Sequence, residues 1–128
     1  MPSQKRKFGD IGEKIAEKYL IDKGYRIIEK NYLKPYGEID IIGIKDKVIT
    51  FFEVKTSDIL QTRDYLPEQR VNHKKARKLR KTCEVYLFEK KYPIDQEWQI
   101  DILSVVLDKD IGKHEVNHFE NAVWEERY

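Results

Sequence analysis

The sequence predicts an α/β protein in which helices flank a mixed β-sheet. Residues 8–23 carry apolar side chains at helical spacing, and residues 25–55 hold three β-rich segments separated by short polar gaps. A second helical segment then precedes two further apolar segments. The order α-β-β-β-α-β-β is typical of a sandwich built around a mixed sheet. The 128 residues suffice for one core of ordinary size, so we expect a single domain over residues 1–128.

The first helix is predicted over residues 8–23, where an apolar stripe recurs with helical period and Gly24 follows as a C-terminal stop. Three strands are predicted next, at residues 25–31, 37–44 and 47–55. Lys45 and Asp46 separate the second strand from the third. This gap is short enough for an antiparallel hairpin.

The second helix is predicted to begin near Pro67, which suits the first turn, and to run to about residue 88. One face of this helix carries Val71, Lys75, Leu79 and Cys83. Residues 98–107 and 114–118 are predicted to form the last two strands.

Composition limits the class of protein. Hydrophobic residues make up 40% of the chain and charged residues 38%, which indicates a folded core beneath a highly charged surface. The single cysteine, Cys83, excludes an intramolecular disulfide and suits a reducing compartment. The sequence has neither a signal-peptide pattern nor an apolar run that could span a bilayer, so we expect a cytoplasmic protein without membrane contact.

Positive charge is concentrated in residues 70–81, although the net charge of the chain is only +2. This stretch contains seven Lys or Arg residues and no acid. Two interpretations stay open, a solvated helix face and a surface that binds nucleic-acid phosphates. The candidates for phosphate contact are Lys74, Lys75, Arg77, Lys78 and Lys81.

Charged residues interrupt the two most apolar strands. Strand alternation places Glu38 with Asp40 on one face, and Glu53 with Lys55 on one face of the next strand. Because both strands are apolar on both sides, they are expected in the middle of the sheet. Buried charges there would cost several kcal/mol unless they were paired or bound to a cation.

A hard divalent ion would explain these charges, because Mg²⁺ and Mn²⁺ prefer carboxylate oxygens. Asp40 and Glu53 are the ligand candidates, and Lys55 could orient or deprotonate an attacking water and screen a phosphate. Glu13, at the border of the first helix's apolar stripe, could reach the same cavity. The alternatives are an exposed Glu53–Lys55 ion pair and a helix-surface acid at position 13.

Other polar residues carry weaker signals. Asp101 alternates with apolar residues in a predicted strand, so we expect it to face solvent on the polar side. The three histidines, His73, His114 and His118, lack the spacing of a zinc site, and none is predicted. The sequence has no glycine-rich phosphate loop and no GxSxG nucleophile elbow.

With these residues, the sequence resembles the UPF0102 (YraN-like) family of the PD-(D/E)xK nuclease superfamily, which is related in fold to archaeal Holliday-junction resolvases. The resemblance is carried by Gly12-Glu13, GEIDII from Gly37, FFEVKT from Phe51 and QIDIL around Asp101. It implies a restriction-endonuclease-like fold with catalytic residues Asp40, Glu53 and Lys55, and with Glu13 as an additional acid. Two positions depart from the pattern. Ile39 replaces the proline of the superfamily's name, and Ser57 stands where relatives often carry a basic residue.

The resemblance implies an Mg²⁺- or Mn²⁺-dependent endonuclease acting on DNA, at branched or flapped intermediates, and a homodimer. The superfamily also includes members without catalysis, so a nucleic-acid-binding module of the same fold is the alternative. A third hypothesis is an interaction protein whose charged helices bind another protein.

Overall fold

The computed structural model describes residues 4–59, 73–108 and 110–123. Within these ranges the elements follow the predicted order α-β-β-β-α-β-β. They are α1 (Gln4–Asp22), β1 (Arg26–Lys34), β2 (Gly37–Lys45), β3 (Val48–Asp58), α2 (His73–Glu89), β4 (Trp98–Asp108) and β5 (Lys113–Phe119). The strands β1 and β3 each extend three residues beyond their predicted ends. Strand β1 continues because Tyr32 is buried in the core.

The five strands form one mixed sheet in the order β1-β2-β3-β4-β5. Three pairs are antiparallel, and β3 pairs with β4 in parallel. Helix α2 lies in the crossover between these parallel neighbours, as a parallel pair requires a long connection. Strands β2 and β3 occupy interior positions, which confirms the prediction made from their two apolar faces.

Each face of the sheet is covered by one helix. Leu20 of α1 packs with Phe52 in one buried cluster, and Tyr86 of α2 packs with Phe51 in the other. Successive phenylalanines of β3 therefore serve opposite layers, as strand alternation dictates. The resulting restriction-endonuclease-like sandwich confirms the predicted fold class.

Helix α1 ends where the sequence predicts it to end. Gly24 adopts a left-handed conformation with φ of 96°. The Gly24 N–H donates to the Ile21 carbonyl at 3.0 Å, and the Tyr25 N–H donates to the Leu20 carbonyl at 3.0 Å. This is a Schellman arrangement, which satisfies carbonyls of the last helical turn and directs the chain into β1.

The hairpin between β2 and β3 lies one residue later than predicted. Lys45 pairs with Val48, so the two turn residues are Asp46 and Lys47 and not Lys45 and Asp46. Both turn residues have positive φ, 51° and 69°. Two left-handed residues define a type I′ turn, whose twist matches that of the flanking strands.

The second helix buries the face that its spacing predicts, since Leu79 and Cys83 lie in the core. The predicted start at Pro67 and the apolar Val71 fall outside the described residues. Neither helix in the described residues has the length and apolar character that a membrane span requires.

Candidate active site

Asp40 lies where two central strands separate. The pairing of β2 with β3 runs from the hairpin only as far as Ile41 and Phe52. Beyond that pair, the Val54 N–H donates to Asp40 Oδ2 at 2.8 Å. This hydrogen bond from the backbone of β3 holds the Asp40 side chain between the two strands.

The alternation of side chains between the two faces of β2 also changes at Asp40. Ile39 belongs to the core beneath α2, whereas Ile41 belongs to the core beneath α1. Residues two positions apart normally share a face of a strand, so the alternation is broken around Asp40. Glu38, which was predicted to share a face with Asp40, is exposed, whereas Asp40 is partly buried.

Burial raises the pKa of the Asp40 carboxyl to about 7. The hydrogen bond from Val54 lowers the pKa but does not offset the desolvation, and the negative charges of Glu53, Glu13 and Glu38 raise it further. A carboxyl with this pKa is only partly ionised at neutral pH, and a nearby cation would favour its ionised form. Strongly perturbed carboxyl groups of this kind cluster at functional sites.

Glu53 and Lys55 point together towards the α2 layer. Lys55 Nζ lies 3.0 Å from Glu53 Oε1, and Lys75 Nζ of α2 lies 3.1 Å from the same oxygen. The side chains of Glu53 and Lys55 are only 15% and 19% exposed, so this is not the exposed ion pair of the alternative interpretation. Two ammonium groups converge on one carboxylate oxygen.

The electrostatic environment keeps Lys55 protonated. Burial lowers the pKa of its amine, but a hydrogen bond with Lys75 and the nearby carboxylates of Glu53 and Asp40 together outweigh burial, and the pKa is raised overall. In the metal-free protein Lys55 is therefore a cationic hydrogen-bond donor. This favours orienting and screening functions over the proton-abstracting function that the sequence also allowed.

Glu13 approaches from α1. A side chain on its neighbour Gly12 would overlap the Thr56 side chain of β3, so the helix and the strand are in close contact at this point. Burial raises the pKa of Glu13, and Glu38 and Asp10 raise it further, whereas Lys30 lowers it. Glu13 also raises the pKa of Asp40, so both acids contribute to one region of negative potential.

The donor set suits a hard cation. Asp40, Glu53 and Glu13 offer only carboxylate oxygens, which Mg²⁺ and Mn²⁺ accept together with water. Among the described residues, these three acids do not approach one another within 4.8 Å as a group. Their agreement with a metal site therefore rests on charge, burial and donor chemistry.

Comparison with known sequences identifies the family. A profile of the Uncharacterised protein family UPF0102 matches residues 12–105. This chain belongs to the UPF0102 family. The matched range contains Glu13, Asp40, Glu53 and Lys55.

Individual UPF0102 proteins are similar over most of their length. The Fervidobacterium nodosum protein is 39% identical over 127 residues, which cover 96% of this chain and 86% of the relative. The Alkaliphilus oremlandii protein is 40% identical over 121 residues, covering 91% and 97% respectively. The Campylobacter fetus subsp. fetus protein is 42% identical over 102 residues, covering 80% and 86%.

Helix α2 divides its basic residues between two environments. The Lys75 ammonium lies 3.1 Å from Glu53 Oε1, on the helix face that it shares with Leu79, and its side chain is 43% exposed. Arg80 stacks over the Trp98 ring at 4.8 Å and donates to the Val123 carbonyl at 3.3 Å. The remaining phosphate candidates are exposed: Lys74, Arg77, Lys78 and Lys81.

Asp101 lies on the predicted strand, but its burial differs from the sequence-based expectation. It was expected to face solvent, but it is fully buried at 0% exposure. Its Oδ2 lies 2.7 Å from His118 Nε2, and its Oδ1 accepts hydrogen bonds from Gln99 Nε2 and the Asn121 N–H, both at 2.8 Å. The expectation was wrong because α1 and β5 supply partners for that face of β4.

The structure also forms a cluster that sequence spacing missed. In the described part of the chain, the one group of three potential metal ligands with donor atoms within 4.8 Å of one another is Asp101, His118 and Glu120. Spacing rules miss it because Asp101 is on β4, His118 is on β5 and Glu120 follows β5. The one sequence signal is an acid inside the apolar strand QIDIL.

Proposed function

We propose that this UPF0102 protein is a cytoplasmic, Mg²⁺- or Mn²⁺-dependent nuclease that hydrolyses DNA phosphodiester bonds. The observation that carries the proposal is the position of Asp40, whose carboxylate is held between separating strands beside Glu53 and Lys55. By the resemblance to PD-(D/E)xK nucleases, these three residues correspond to the catalytic residues of that superfamily.

The negative charge of the site supports the proposal. Burial and the charges of three nearby acids raise the pKa of the Asp40 carboxyl to about 7, and the hydrogen bond from Val54 does not fully stabilise its ionised form. A divalent ion would supply the missing positive charge. When bound, such an ion polarises the phosphoryl oxygen and activates water.

The residues of the chain have distinct functions in this scheme. Asp40, Glu53 and Glu13 would hold the ion. Lys55 remains protonated, donates a hydrogen bond to a phosphate oxygen and stabilises the charge that develops during cleavage. Lys55 and Lys75 both contact Glu53 Oε1, so two positive charges would lie beside a bound phosphate.

Metal-dependent hydrolysis of a phosphodiester bond is the same in every DNA structure, so this chemistry does not indicate which structure is preferred. Branched or flapped DNA and a homodimeric enzyme are proposed from the resemblance to resolvases. The exposed basic residues of α2 would contact phosphates next to the site, since Lys75 on the same helix already reaches Glu53.

A cleavage assay tests the proposal. Single-stranded, duplex, flap and four-way-junction DNA would be incubated with Mg²⁺ or Mn²⁺ and either the natural protein or Asp40→Asn. Asparagine retains an acceptor for the Val54 N–H and removes the charge, so the variant should fold and bind DNA without cleaving it. Metal-dependent cleavage lost in Asp40→Asn is the expected result. DNA binding without cleavage by the natural protein would instead support the non-catalytic module.

The basic surface gives a separate prediction. Replacing Lys74, Lys78 and Lys81 together by Gln should weaken DNA binding and reduce the slope of log affinity against log salt concentration. Each lost phosphate contact should lower the slope by roughly 0.7 to 0.9. The control is replacement of Lys90 and Lys91, exposed beyond the end of α2. A slope that is unchanged in the triple variant would identify α2 as a solvated face only.

A further inference from the structure

A second group of charged residues lies outside the Asp40 site. Asp101, His118 and Glu120 place one carboxylate oxygen, one imidazole nitrogen and one further carboxylate oxygen within 4.8 Å of one another. Asp101 is fully buried and Glu120 is exposed, so the group extends from the protein interior to its surface. Nothing in the proposed nuclease chemistry uses these three side chains.

Surrounding groups fix the two inner donors. Asp101 Oδ1 accepts the hydrogen bonds from Gln99 and Asn121, which leaves Oδ2 directed at His118 Nε2, 2.7 Å away. On the other side of the imidazole, His118 Nδ1 lies 3.1 Å from the Tyr19 hydroxyl. Metal-binding histidines characteristically bind a second partner through their other ring nitrogen, and ligating carboxylates are themselves hydrogen-bonded.

The separations lie within reach of one metal ion. Donor atoms of a four-coordinate Zn²⁺ with bonds of about 2.0 to 2.1 Å lie about 3.3 to 3.4 Å apart. Asp101 Oδ2 and His118 Nε2 are 2.7 Å apart, somewhat less than this value, and the three donor atoms all lie within 4.8 Å of one another. An ion could replace the proton between Asp101 and His118 with small side-chain shifts.

An open cavity of about 350 Å³ adjoins the cluster. His118 and Glu120 line it, together with Tyr19, Lys23, Tyr25 and Lys45. The cavity gives space for water or another small ligand at the positions that three protein ligands leave open. The arrangement of three protein ligands and an accessible face is that of an open metal site.

We propose that Asp101, His118 and Glu120 form a binding site for a first-row transition-metal ion such as Zn²⁺. The imidazole donor determines the class of metal, because nitrogen ligands suit Zn²⁺ and related ions whereas Mg²⁺ prefers oxygen. The site is separate from the Asp40 site. Tyr19, which contacts His118, lies six residues further along α1 than Glu13.

The test measures Zn²⁺ binding by calorimetry in the protein carrying Asp40→Asn. This substitution weakens metal binding at the Asp40 site. One site per chain is expected. Adding Glu120→Gln, at an exposed position, should reduce the affinity by at least about 10-fold, since even changes to outer-shell partners reduce metal affinity by 10- to 100-fold. Glu115→Gln is the matched control, an exposed acid on β5 outside the cluster, and should leave the affinity unchanged.

A second measurement does not depend on variants. In NMR spectra, one equivalent of Zn²⁺ should shift the ring signals of His118 while those of His73 and His114 stay in place. Equal Zn²⁺ affinities with and without Glu120→Gln, or an unperturbed His118 ring, would overturn the site and leave Asp101–His118 as a structural pair. Neither readout involves DNA cleavage, so failure here leaves the nuclease proposal intact, and the reverse also holds.

Discussion

Replacement of Lys55 by alanine is expected to slow DNA cleavage by about 10²- to 10³-fold in single-turnover experiments, with much smaller loss of DNA affinity. The raised pKa of Lys55 keeps it cationic, so the variant loses a charged donor that acts on the developing negative charge. Removal of one such preorganised donor from an enzyme typically has an effect of this size. Affinity is spread over several phosphate contacts and should change less.

Lys75→Ala is the matched comparison, because Lys75 and Lys55 contact the same oxygen of Glu53 at 3.1 and 3.0 Å. If both lysines served only to hold Glu53, the two variants would lose the same rate. We expect Lys75→Ala to affect DNA affinity more than rate. Single-turnover cleavage and filter binding on one substrate separate the two quantities, since multiple turnover could report product release. Equal losses of rate and affinity in Lys55→Ala would reduce Lys55 to a phosphate anchor.

The central hairpin could be predicted from sequence because its determinants are local. Strands β2 and β3 are adjacent along the chain, both are apolar on both faces, and two residues join them. Simple alternation then placed Glu53 and Lys55 on one face, and the structure pairs their side chains. Helical spacing likewise placed Lys75 on the face of Leu79, and its ammonium group reaches Glu53 although the side chain is 43% exposed.

Alternation could not predict the separation of the strands at Asp40. It assumes a continuous ladder, whereas the Val54 N–H here donates to a side chain. The sequence indicated that Asp40 was anomalous in an apolar strand, but not how its carboxylate would be held. Hydrogen bonding across the sheet decides that, and it depends on where the ladder stops.

Asp101 shows the same limit of sequence-based prediction for residues that are far apart along the chain. Its partner His118 lies 17 residues away, and Tyr19 contacts that histidine from 99 residues away. A residue in a strand can be assigned to a face by counting, but whether that face meets solvent depends on elements elsewhere in the chain. Only the assembled sheet, with α1 above it and β5 beside it, makes the Asp101 carboxylate a buried group.

In the absence of metal, Asp40→Asn is expected to stabilise the protein at pH 8 and to flatten the pH dependence of its stability. The folded-state pKa of Asp40 is about 7, against an ordinary value of 3.8. Between these values the folded state binds more protons than the unfolded state, so the free energy of unfolding falls as pH rises. A shift of about 3 pKa units corresponds to at most about 4 kcal/mol of destabilisation, fully present above the folded-state pKa and absent below pH 4.

Urea unfolding in the presence of a chelator, between pH 4.5 and pH 8, measures this difference. The natural protein should lose more stability over that range than Asp40→Asn, because the asparagine carries no charge to desolvate while its oxygen still accepts from Val54. Asp95→Asn, at an exposed position, is the control and should follow the natural protein. Glu13, whose pKa is also raised by burial, is common to all three proteins, so the comparison reports the loss of the Asp40 charge together with its repulsion of Glu13. Parallel curves of unfolding free energy against pH for the natural protein and Asp40→Asn would show that the Asp40 carboxylate is solvated. A solvated carboxylate needs no cation to offset its burial, so this result would contradict the proposed metal site.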